Sequence, residues 1–241
     1  MDSKFCWKIF GKKTQDSSKT PSTIPEEDRP CTQSFPFFLR ELNLMEARFK
    51  MNHDLIDYYN FMIRVLIKNI QSEYMSKFFK EEVHYDIYRL VPFFRASVFA
   101  DDERLDNFSL EGKNVITFPY EHKKMFGAMK DVRDEGYRHE AHETDKPDGI
   151  YFPELNLALI HNGQHHIAAA CDVGFKGVKA YVFVISLEKA LDVVTFSEDS
   201  ELWVYDNKER RIEDCRFAML FELYRRRRGL EKKMEKNTAI T

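Results

Sequence analysis

One segment, residues 158–186, constrains the fold more strongly than any other part of the chain. Apolar residues end at Ile160 and are followed by a glycine turn at Gly163. An alanine-rich stretch then begins at Gln164, and an apolar, β-branched run occupies residues 178–186. The order of these parts predicts a strand, a turn, a helix and a buried strand, and therefore a fold that mixes helices with a sheet.

Helical periodicity dominates both ends of the chain. Between Asn52 and Phe79, apolar residues recur at spacings of three and four, which predicts a long amphipathic helix with a shorter helix before it. Residues 212–224 are apolar nearly all round, a pattern typical of a buried helix. We therefore expect an α+β protein with a small mixed sheet at its centre, an N-terminal helical layer and a closing C-terminal helix.

Composition divides the chain into three parts. Residues 1–33 include a stretch rich in Ser, Thr, Pro and charge, which buries too little apolar surface to offset the entropy of ordering it, so we expect a mobile leader. Residues 34–84 form the expected helical layer, and residues 85–236 form the expected α/β domain with its closing helix. Inside that domain, residues 114–136 predict a strand, a turn and a helix, ahead of a hairpin that ends at Ile160.

Charge and cysteine content exclude several classes of protein. The chain has 37 Lys and Arg against 40 Asp and Glu, a formal net charge of −3. No overall basic field therefore draws it to nucleic acid, and any such contact has to be local. No apolar run approaches the roughly 20 residues of a membrane span. The 4 cysteines are scattered, without a C-x-x-C pair, which indicates reduced thiols and a cytoplasmic location.

The turn at Gly163 has the chemistry of an anion site. A turn that leads into a helix presents unpaired backbone N–H groups and the positive end of the helix dipole, which suits phosphate or carboxylate. The Asn162 and Gln164 side chains add hydrogen-bond donors, and imidazoles donate, accept a proton or bind metal. We therefore take Asn162, Gly163 and Gln164 as ligand-binding residues. His165 and His166 are the catalytic candidates.

These residues carry a resemblance to a known superfamily. Residues 158–184 resemble the second signature box of the ParB/sulfiredoxin-like superfamily, in which a strand, a Gly-His-His-Arg or Gly-Glu-Arg-Arg type turn, an alanine-rich helix and a valine-rich strand follow one another. Residues 116–124, with the helix that runs to Gly136, are similar to its first box. The resemblance implies a small α/β fold that binds nucleotide phosphates at the two boxes, as in DNA-partitioning CTPases, sulfiredoxin, a free-serine kinase and some ParB-like nucleases.

Position by position, the resemblance assigns roles in the second box. Gly163 corresponds to the turn glycine, and Gln164 and His165 correspond to the phosphate-facing residues. His166 takes the position of the superfamily's arginine; a histidine near its reference pKa of about 6.5 is mostly neutral at pH 7, whereas arginine is always charged. Gln164 stands where many ParB boxes have a glutamate, and it cannot act as a general base.

The resemblance also assigns residues in the first box, where His122, Lys123 and Lys124 become ligand-binding candidates. Lys123 or Lys124 replaces the basic residue of that box. The catalytic cysteine of sulfiredoxin has no counterpart in the turn, because Cys171 lies further along the helix. The implied reaction is phosphoryl or phosphodiester chemistry, as in a nucleotidase, NTPase or nuclease, with His165 or His166 as acid, base or electrostatic stabiliser.

A second resemblance covers more of the chain. Residues 50–230 are similar to a bacterial family of unknown function. Its Gly-Asn-His-Ser turn and its Phe-Glu-Leu helix resemble residues 163–166 and 221–223. This second resemblance implies no activity.

Clustered histidines offer a metal site as an alternative. Five of the 8 histidines lie close together in the sequence, and they are His139, His142, His161, His165 and His166. If the polar loop 138–149 folds back over the turn, His139 and His142 complete a site for zinc or another transition metal. A divalent metal is therefore one cofactor that the sequence leaves open, beside a purely hydrogen-bonding role for the histidines.

Two runs of charge have competing interpretations. The acidic run consists of Asp101, Asp102, Glu103 and Asp106, which either hold Mg²⁺ beside a phosphate or form a solvated loop. The basic run Arg225–Arg228 either contacts nucleic acid or an acidic partner, or is a solvated helix end. Neither run identifies a partner by itself.

The sequence leaves two classes of function open. The first is a phosphate- or nucleotide-binding protein, whose partner is a phosphate-bearing small ligand. The second is a non-catalytic interaction protein of a plasmid, phage or defence system, which uses the fold as a docking scaffold for a protein partner. The chain has no P-loop, G-x-G-x-x-G or G-x-S-x-G motif, so Walker NTPases, dinucleotide-binding enzymes and α/β-hydrolases lack their signatures here.

Overall fold

The computed structural model confirms an α+β fold with helices at both ends. It describes residues 34–80, 85–96, 99, 103–135, 147–172, 174–197 and 202–238. The predicted leader, residues 1–33, lies outside the described residues. Within the described ranges, no helix combines the length and the apolar character that a membrane crossing requires.

Two helices form the N-terminal layer. Helix α1 spans Ser34–Glu46, and helix α2 spans Asn52–Lys80, close to the bounds predicted for the long helix. The buried side chains of α2 recur at spacings of three and four and face the rest of the molecule; they are Tyr59, Ile63, Ile67, Ile70, Tyr74 and Phe78. A short helix α3, Ile87–Leu90, and a 3-10 turn, Pro92–Arg95, lead from this layer towards the sheet.

A five-stranded mixed sheet forms the centre of the molecule. Its strands are β1 (Arg104–Ser109), β2 (Asn114–Thr117), β3 (Asp148–Phe152), β4 (Leu157–Ile160) and β5 (Lys179–Val184), in the spatial order β1-β5-β3-β4-β2. Strand β4 pairs antiparallel with β3, which confirms the predicted hairpin, and parallel with β2. Helix α4 (His122–Glu135) follows β2, and helix α5 (Gln164–Asp172) follows β4. Because β2 and β4 are parallel neighbours, α4 and α5 begin at the same edge of the sheet.

The sheet is covered on both faces. Alternate residues of β2 and β4, such as Val115 and Ala158, pack against α4 and α5, where the buried alanines of α5 allow a close approach. The intervening residues, such as Ile116 and Leu159, pack against the N-terminal helices and the C-terminal helix. This alternation follows from the two-residue period of a strand.

The C-terminal part adds a small second sheet and a long helix. After the short helix α6 (Leu187–Ala190), the strands β6 (Thr195–Ser197), β7 (Leu202–Tyr205) and β8 (Lys208–Arg211) form an antiparallel sheet, and helix α7 spans Cys215–Thr238. Trp203 of β7 is fully buried, and its ring lies 5.0 Å from Phe93 and 5.9 Å from Phe221. This aromatic contact fixes the second sheet to α7.

The acidic run does not form a single loop. Asp106 lies inside strand β1, and its side chain faces Arg104 at 3.9 Å, so the loop interpretation is wrong for this residue. The strand is extended with largely exposed side chains, which explains why its sequence lacks an apolar alternation. Asp101 and Asp102 lie outside the described residues.

The basic run Arg225–Arg228 is part of helix α7 and is bound internally. Arg226 pairs with Glu222 and, at 2.6 Å, with Glu46 of α1. Arg228 pairs with Glu188 of α6 at 3.0 Å. Since Arg226 and Arg228 join α7 to neighbouring helices, the interpretation as a solvated helix end is wrong for these two residues. Arg225 is 52% exposed and pairs with Glu222 of α7 itself.

Candidate anion-binding site

The sheet brings the two predicted boxes together. Strand β2 ends at Thr117, which is paired in register with Ile160 at the end of β4. The turn before α4 and the turn before α5 therefore lie side by side at the carboxyl edge of these parallel strands, where α/β proteins place their ligands. The paired turns, residues 118–121 and 161–163, define the candidate site.

Gly163 has the backbone conformation that the second turn requires. Its φ is +65°, a region that residues with a Cβ rarely adopt. A Cβ at this position would also lie 3.0 Å from Cβ of Pro147. Its N–H donates to Oδ1 of Asn162 at 3.0 Å, and its carbonyl accepts the first hydrogen bond of α5, from the N–H of Ile167 at 3.1 Å. Asn162 thus stabilises the turn through its side-chain oxygen, and the carbonyl of Gly163 begins the hydrogen bonding of α5.

The first turn of α5 presents unused donors. The backbone N–H groups of Gln164, His165 and His166 have no acceptor in the part of the chain that the structure describes. Gln164 is only 6% exposed, yet its amide makes no hydrogen bond with the described residues. The polar atoms of that amide are not fully enclosed, so the amide still reaches the surface. The Gln164 amide can therefore donate a hydrogen bond to a molecule at the surface.

His165 joins the two turns. It is 8% exposed, and its Nε2 accepts hydrogen bonds from the backbone N–H groups of Tyr120 and Glu121, each at 3.3 Å. An Nε2 that accepts carries no proton, so the neutral imidazole has its proton on Nδ1. Burial lowers the pKa of His165, and the nearby charges of Lys124 and His166 lower it further, while Glu121 opposes them. His165 is therefore a neutral positioning group between the two helices.

Two lysines occupy the first turn of α4, where the helix dipole disfavours positive charge. Lys124 Nζ lies 2.8 Å from Glu121 Oε2 and 5.3 Å from the centre of the Tyr120 ring. Hydrogen bonds to Glu121 and Tyr120 raise the pKa of Lys124. Lys123 is exposed and makes no hydrogen bond or ion pair among the described residues. Lys124 lies close enough to His165 for its charge to lower the pKa of that imidazole, so this lysine places positive charge beside the first turn of α5.

The other predicted site residues lie around this pair of turns. His122 Nε2 hydrogen-bonds the carbonyl of Phe78, and its ring packs 4.8 Å from the Phe78 ring, which anchors α4 to α2. The side chain of His166 is 54% exposed, with Nε2 3.7 Å from Asp131 Oδ2 of α4. His166 is thus the accessible imidazole of the site, and His122 is a link between helices.

A histidine–aspartate pair that the sequence alone does not predict lies at the same edge of the sheet. His161 follows β4, and its Nε2 lies 3.0 Å from Oδ2 of Asp148, the first residue of β3. The backbone N–H groups of His161 and Asn162 also donate to the carbonyl of Asp148, at 3.0 and 3.3 Å. The antiparallel register of β3 and β4 creates this pair, so the only signal in the sequence was the predicted hairpin itself.

The structure describes only some of the residues of the predicted metal sites. His139 and His142 lie outside the described residues, as do Asp101 and Asp102. Among the residues that are described, no three His, Cys, Asp or Glu side chains are grouped so as to hold a metal ion. Burial, with a smaller effect of Asp172, raises the pKa of the Cys171 thiol to about 11, so this cysteine is not an activated nucleophile.

Comparison with known proteins adds a family and no activity. A sequence model described as a family of unknown function, DUF6710, matches residues 8–234. The expected similarity to a family of unknown function is thus confirmed over nearly the whole chain. No curated protein and no solved structure matches the chain significantly.

Proposed function

This chain belongs to DUF6710, a family of unknown function, and we propose that it binds a phosphate-bearing ligand at the paired turns before α4 and α5. The observation that carries the proposal is the first turn of α5, where three backbone N–H groups lack an acceptor in the described chain. The charge of Lys124, in the first turn of α4 next to Lys123, acts on His165 of that turn. Backbone donors at a helix N-terminus together with lysine are a common means of binding phosphate.

The position of the lysines supports the proposal on energetic grounds. A charge in the first turn of a helix changes the free energy of folding by about 0.3–1 kcal/mol, and the sign is unfavourable for a cation. Lys123 and Lys124 both stand there, and the first turn of α4 contains no acidic residue. The ion pair with Glu121 offsets this cost for Lys124, whereas Lys123 has no ion pair among the described residues. A bound anion would reverse the remaining cost at Lys123.

The catalytic part of the proposal assigns different roles to the two histidines. His165 keeps the two helix N-termini together and stays neutral, because its Nε2 already accepts from Tyr120 and Glu121. His166 is exposed on the same turn, so it is the residue that acts as acid, base or electrostatic stabiliser in phosphoryl or phosphodiester chemistry. A ParB/sulfiredoxin-like ancestry, with the turns as its two boxes, is part of this proposal.

A thermal-shift experiment on the full chain tests the binding proposal. The probes are inorganic phosphate, pyrophosphate and nucleoside mono-, di- and triphosphates, each with and without Mg²⁺, Mn²⁺ or Zn²⁺. A ligand at 100 times its Kd adds about 2.7 kcal/mol to the stability of the folded state. We expect stabilisation by at least one phosphate compound, and a weaker effect in the double variant Lys123→Ala/His166→Ala.

The matched control is Lys68→Ala, which removes an exposed lysine from α2, far along the chain from either turn. This variant should respond to the phosphate compounds as the unmodified chain does. If no phosphate compound stabilises the chain under any of these conditions, the proposal is wrong.

A second function, as a docking scaffold for a protein partner, is favoured by a different observation. Large apolar side chains are half-exposed on the N-terminal helices, and they are Phe37 and Leu44 on α1 and Phe61 and Val65 on α2. Substituting Phe61 and Val65 by Ser and testing for loss of a co-purifying protein separates the two functions, since the phosphate response should not change in that variant.

A further inference from the structure

The outer edge of the small second sheet is open. The strand order is β6-β7-β8, so β8 is an edge strand in the part of the chain that the structure describes. Every residue of β8, Lys208–Arg211, is exposed, and therefore none of the described elements covers this edge. An uncovered strand edge presents backbone N–H and C=O groups to any chain that lies beside it in an extended conformation.

The β7–β8 hairpin determines which backbone groups of β8 point outwards. Its two-residue turn, Asp206 and Asn207, has the positive φ values of a type I′ turn, +47° and +54°, and the residues that flank the turn are paired directly. In an antiparallel pair, every second residue bonds the neighbouring strand, and the residues between them point the other way. Because Lys208 is the first bonded residue, the N–H and C=O groups of Glu209 and Arg211 point away from β7.

The side chains of β8 give this edge an excess of positive charge. The strand contains three basic residues and one acidic residue, Glu209. Lys208 and Arg210 share one face, because alternate residues of a strand point to the same side. Among the described residues, Lys208 makes no ion pair, and the Arg210 side chain donates to the carbonyl oxygen of Glu209 at 3.2 Å. Two cations without an acidic partner in the described chain thus lie side by side at an open edge.

We propose that β8 binds an extended acidic segment of a partner protein, which adds to the second sheet as a further strand. The backbone of the segment pairs with the outward N–H and C=O groups of Glu209 and Arg211. Its acidic side chains, at alternate positions, lie beside Lys208 and Arg210, because side chains of neighbouring strands meet on a shared face. The edge belongs to the second sheet, so this inference does not depend on the proposed phosphate-binding function.

Charge and backbone geometry together favour this occupant. A second copy of the chain would bring the same excess of positive charge to the edge. A single strand of DNA would match the charge, but its sugar–phosphate backbone has no donors for the outward carbonyl groups. An acidic segment in the β conformation satisfies both requirements, because strand addition supplies donors and acceptors in alternation and pockets or charges select the side chains.

Fluorescence anisotropy with the full chain tests the charge part of the inference. The probe is a labelled eight-residue peptide that alternates Glu and Thr, and its counterpart alternates Lys and Thr. We expect the acidic peptide to bind about tenfold or more tightly than the basic one. The double variant Lys208→Gln/Arg210→Gln should lose most of this preference. The matched control is Arg64→Gln/Lys68→Gln, which removes two exposed cations from α2 and should keep it.

A backbone substitution tests the strand-addition part. Arg211→Pro removes an outward N–H group and leaves the bonds to β7 in place, since an edge strand accepts proline where the N–H faces solvent. Its matched control, Arg211→Gln, removes the charge alone. We expect Arg211→Pro to bind the acidic peptide about tenfold more weakly than Arg211→Gln does. In the unmodified chain, the acidic peptide should slow hydrogen exchange at the amides of Glu209 and Arg211.

Four results would overturn the inference. The first is equal binding of the two peptides, or no binding of either, which is the behaviour of a charged edge that only prevents aggregation. The second is binding of the acidic peptide without slower exchange at Glu209 and Arg211. The third is slower exchange at these amides with rising protein concentration and no peptide, which would make a second copy the occupant. The fourth is tighter binding of an eight-nucleotide thymidylate than of the acidic peptide.

Discussion

His165 Nε2 accepts hydrogen bonds from the backbone N–H groups of both Tyr120 and Glu121, each at 3.3 Å. One side chain from the first turn of α5 thereby satisfies two donors that precede α4. The contact links segments about 45 residues apart and holds together the two helix N-termini of the proposed site. The first two predictions concern this contact.

Removing the imidazole should destabilise the fold. His165→Ala leaves two part-buried N–H groups without their acceptor, and we expect a loss of about 1–2 kcal/mol in the free energy of unfolding. His165→Gln places an amide oxygen near the position of Nε2 and should recover part of that loss. Urea denaturation measures both variants. His53→Ala on the exposed start of α2 is the control; a loss for His165→Ala no larger than its own would contradict the structural role.

The pH dependence of stability follows from the same contact. The pKa of His165 is lowered in the folded state, whereas the unfolded chain keeps a value of about 6.5. The unfolded state therefore binds more protons near and below that pH, so the free energy of unfolding should fall as the pH drops through about 6.5. Urea denaturation at pH 7.5 and 5.5 measures this fall. In His165→Gln the fall should be smaller, and an unchanged fall would contradict the assignment.

Gly149 should tolerate no side chain. A Cβ there would lie 2.1 Å from the carbonyl oxygen of Leu159 on the neighbouring strand, a backbone atom that cannot move aside. We expect Gly149→Ala to lower the free energy of unfolding by about 3 kcal/mol or more. Gly127→Ala, in the interior of α4 with open space around its Cβ position, should instead raise it by about 0.5–1 kcal/mol. Equal effects of the two substitutions on the melting temperature would contradict the close β3–β4 approach.

The buried carboxylate of α7 should matter more than an exposed one. Glu222 is 1% exposed and pairs with Arg225 and Arg226. Glu222→Gln removes the buried acceptor that both arginines share but leaves Arg226 its pair with Glu46, so we expect a loss of about 1.5–3 kcal/mol in the free energy of unfolding. Glu235→Gln, which removes the exposed partner of Arg228, should change stability by about 0.5 kcal/mol or less. Chemical denaturation of both variants decides whether the arginine run is structural.

Much of the fold could be predicted because its signals are local. The spacing of apolar residues in α2 and the strand–turn–helix order from Leu157 to Asp172 both appear in short windows of sequence. Strand β1, by contrast, is largely exposed and carries no apolar alternation, and β8 is formed by Lys208–Arg211, which are all exposed. These strands are recognised only from their pairing with β5 and β7.

The candidate site, like the fold, was predictable from the sequence only where its signals are local. The turn at Gly163 and its donors follow from the local pattern, whereas the function of His165 depends on Tyr120 and Glu121, which the parallel pairing of β2 and β4 brings near. The His161–Asp148 pair depends on the register of a hairpin. The ion pairs of the arginine run could not be predicted from the sequence, because the partners Glu46 and Glu188 belong to distant segments.

The central claim is that the open N–H groups at the start of α5 bind phosphate. A titration of the ¹⁵N-labelled full chain with inorganic pyrophosphate, followed by ¹H–¹⁵N correlation spectra, tests it at the atoms concerned. We predict that the largest saturable shifts occur at the backbone amides of Gln164, His165 and His166, and that Lys123→Ala reduces the affinity. Saturating shifts that occur elsewhere while these three amides do not move, or no saturable shift at all, would contradict the claim.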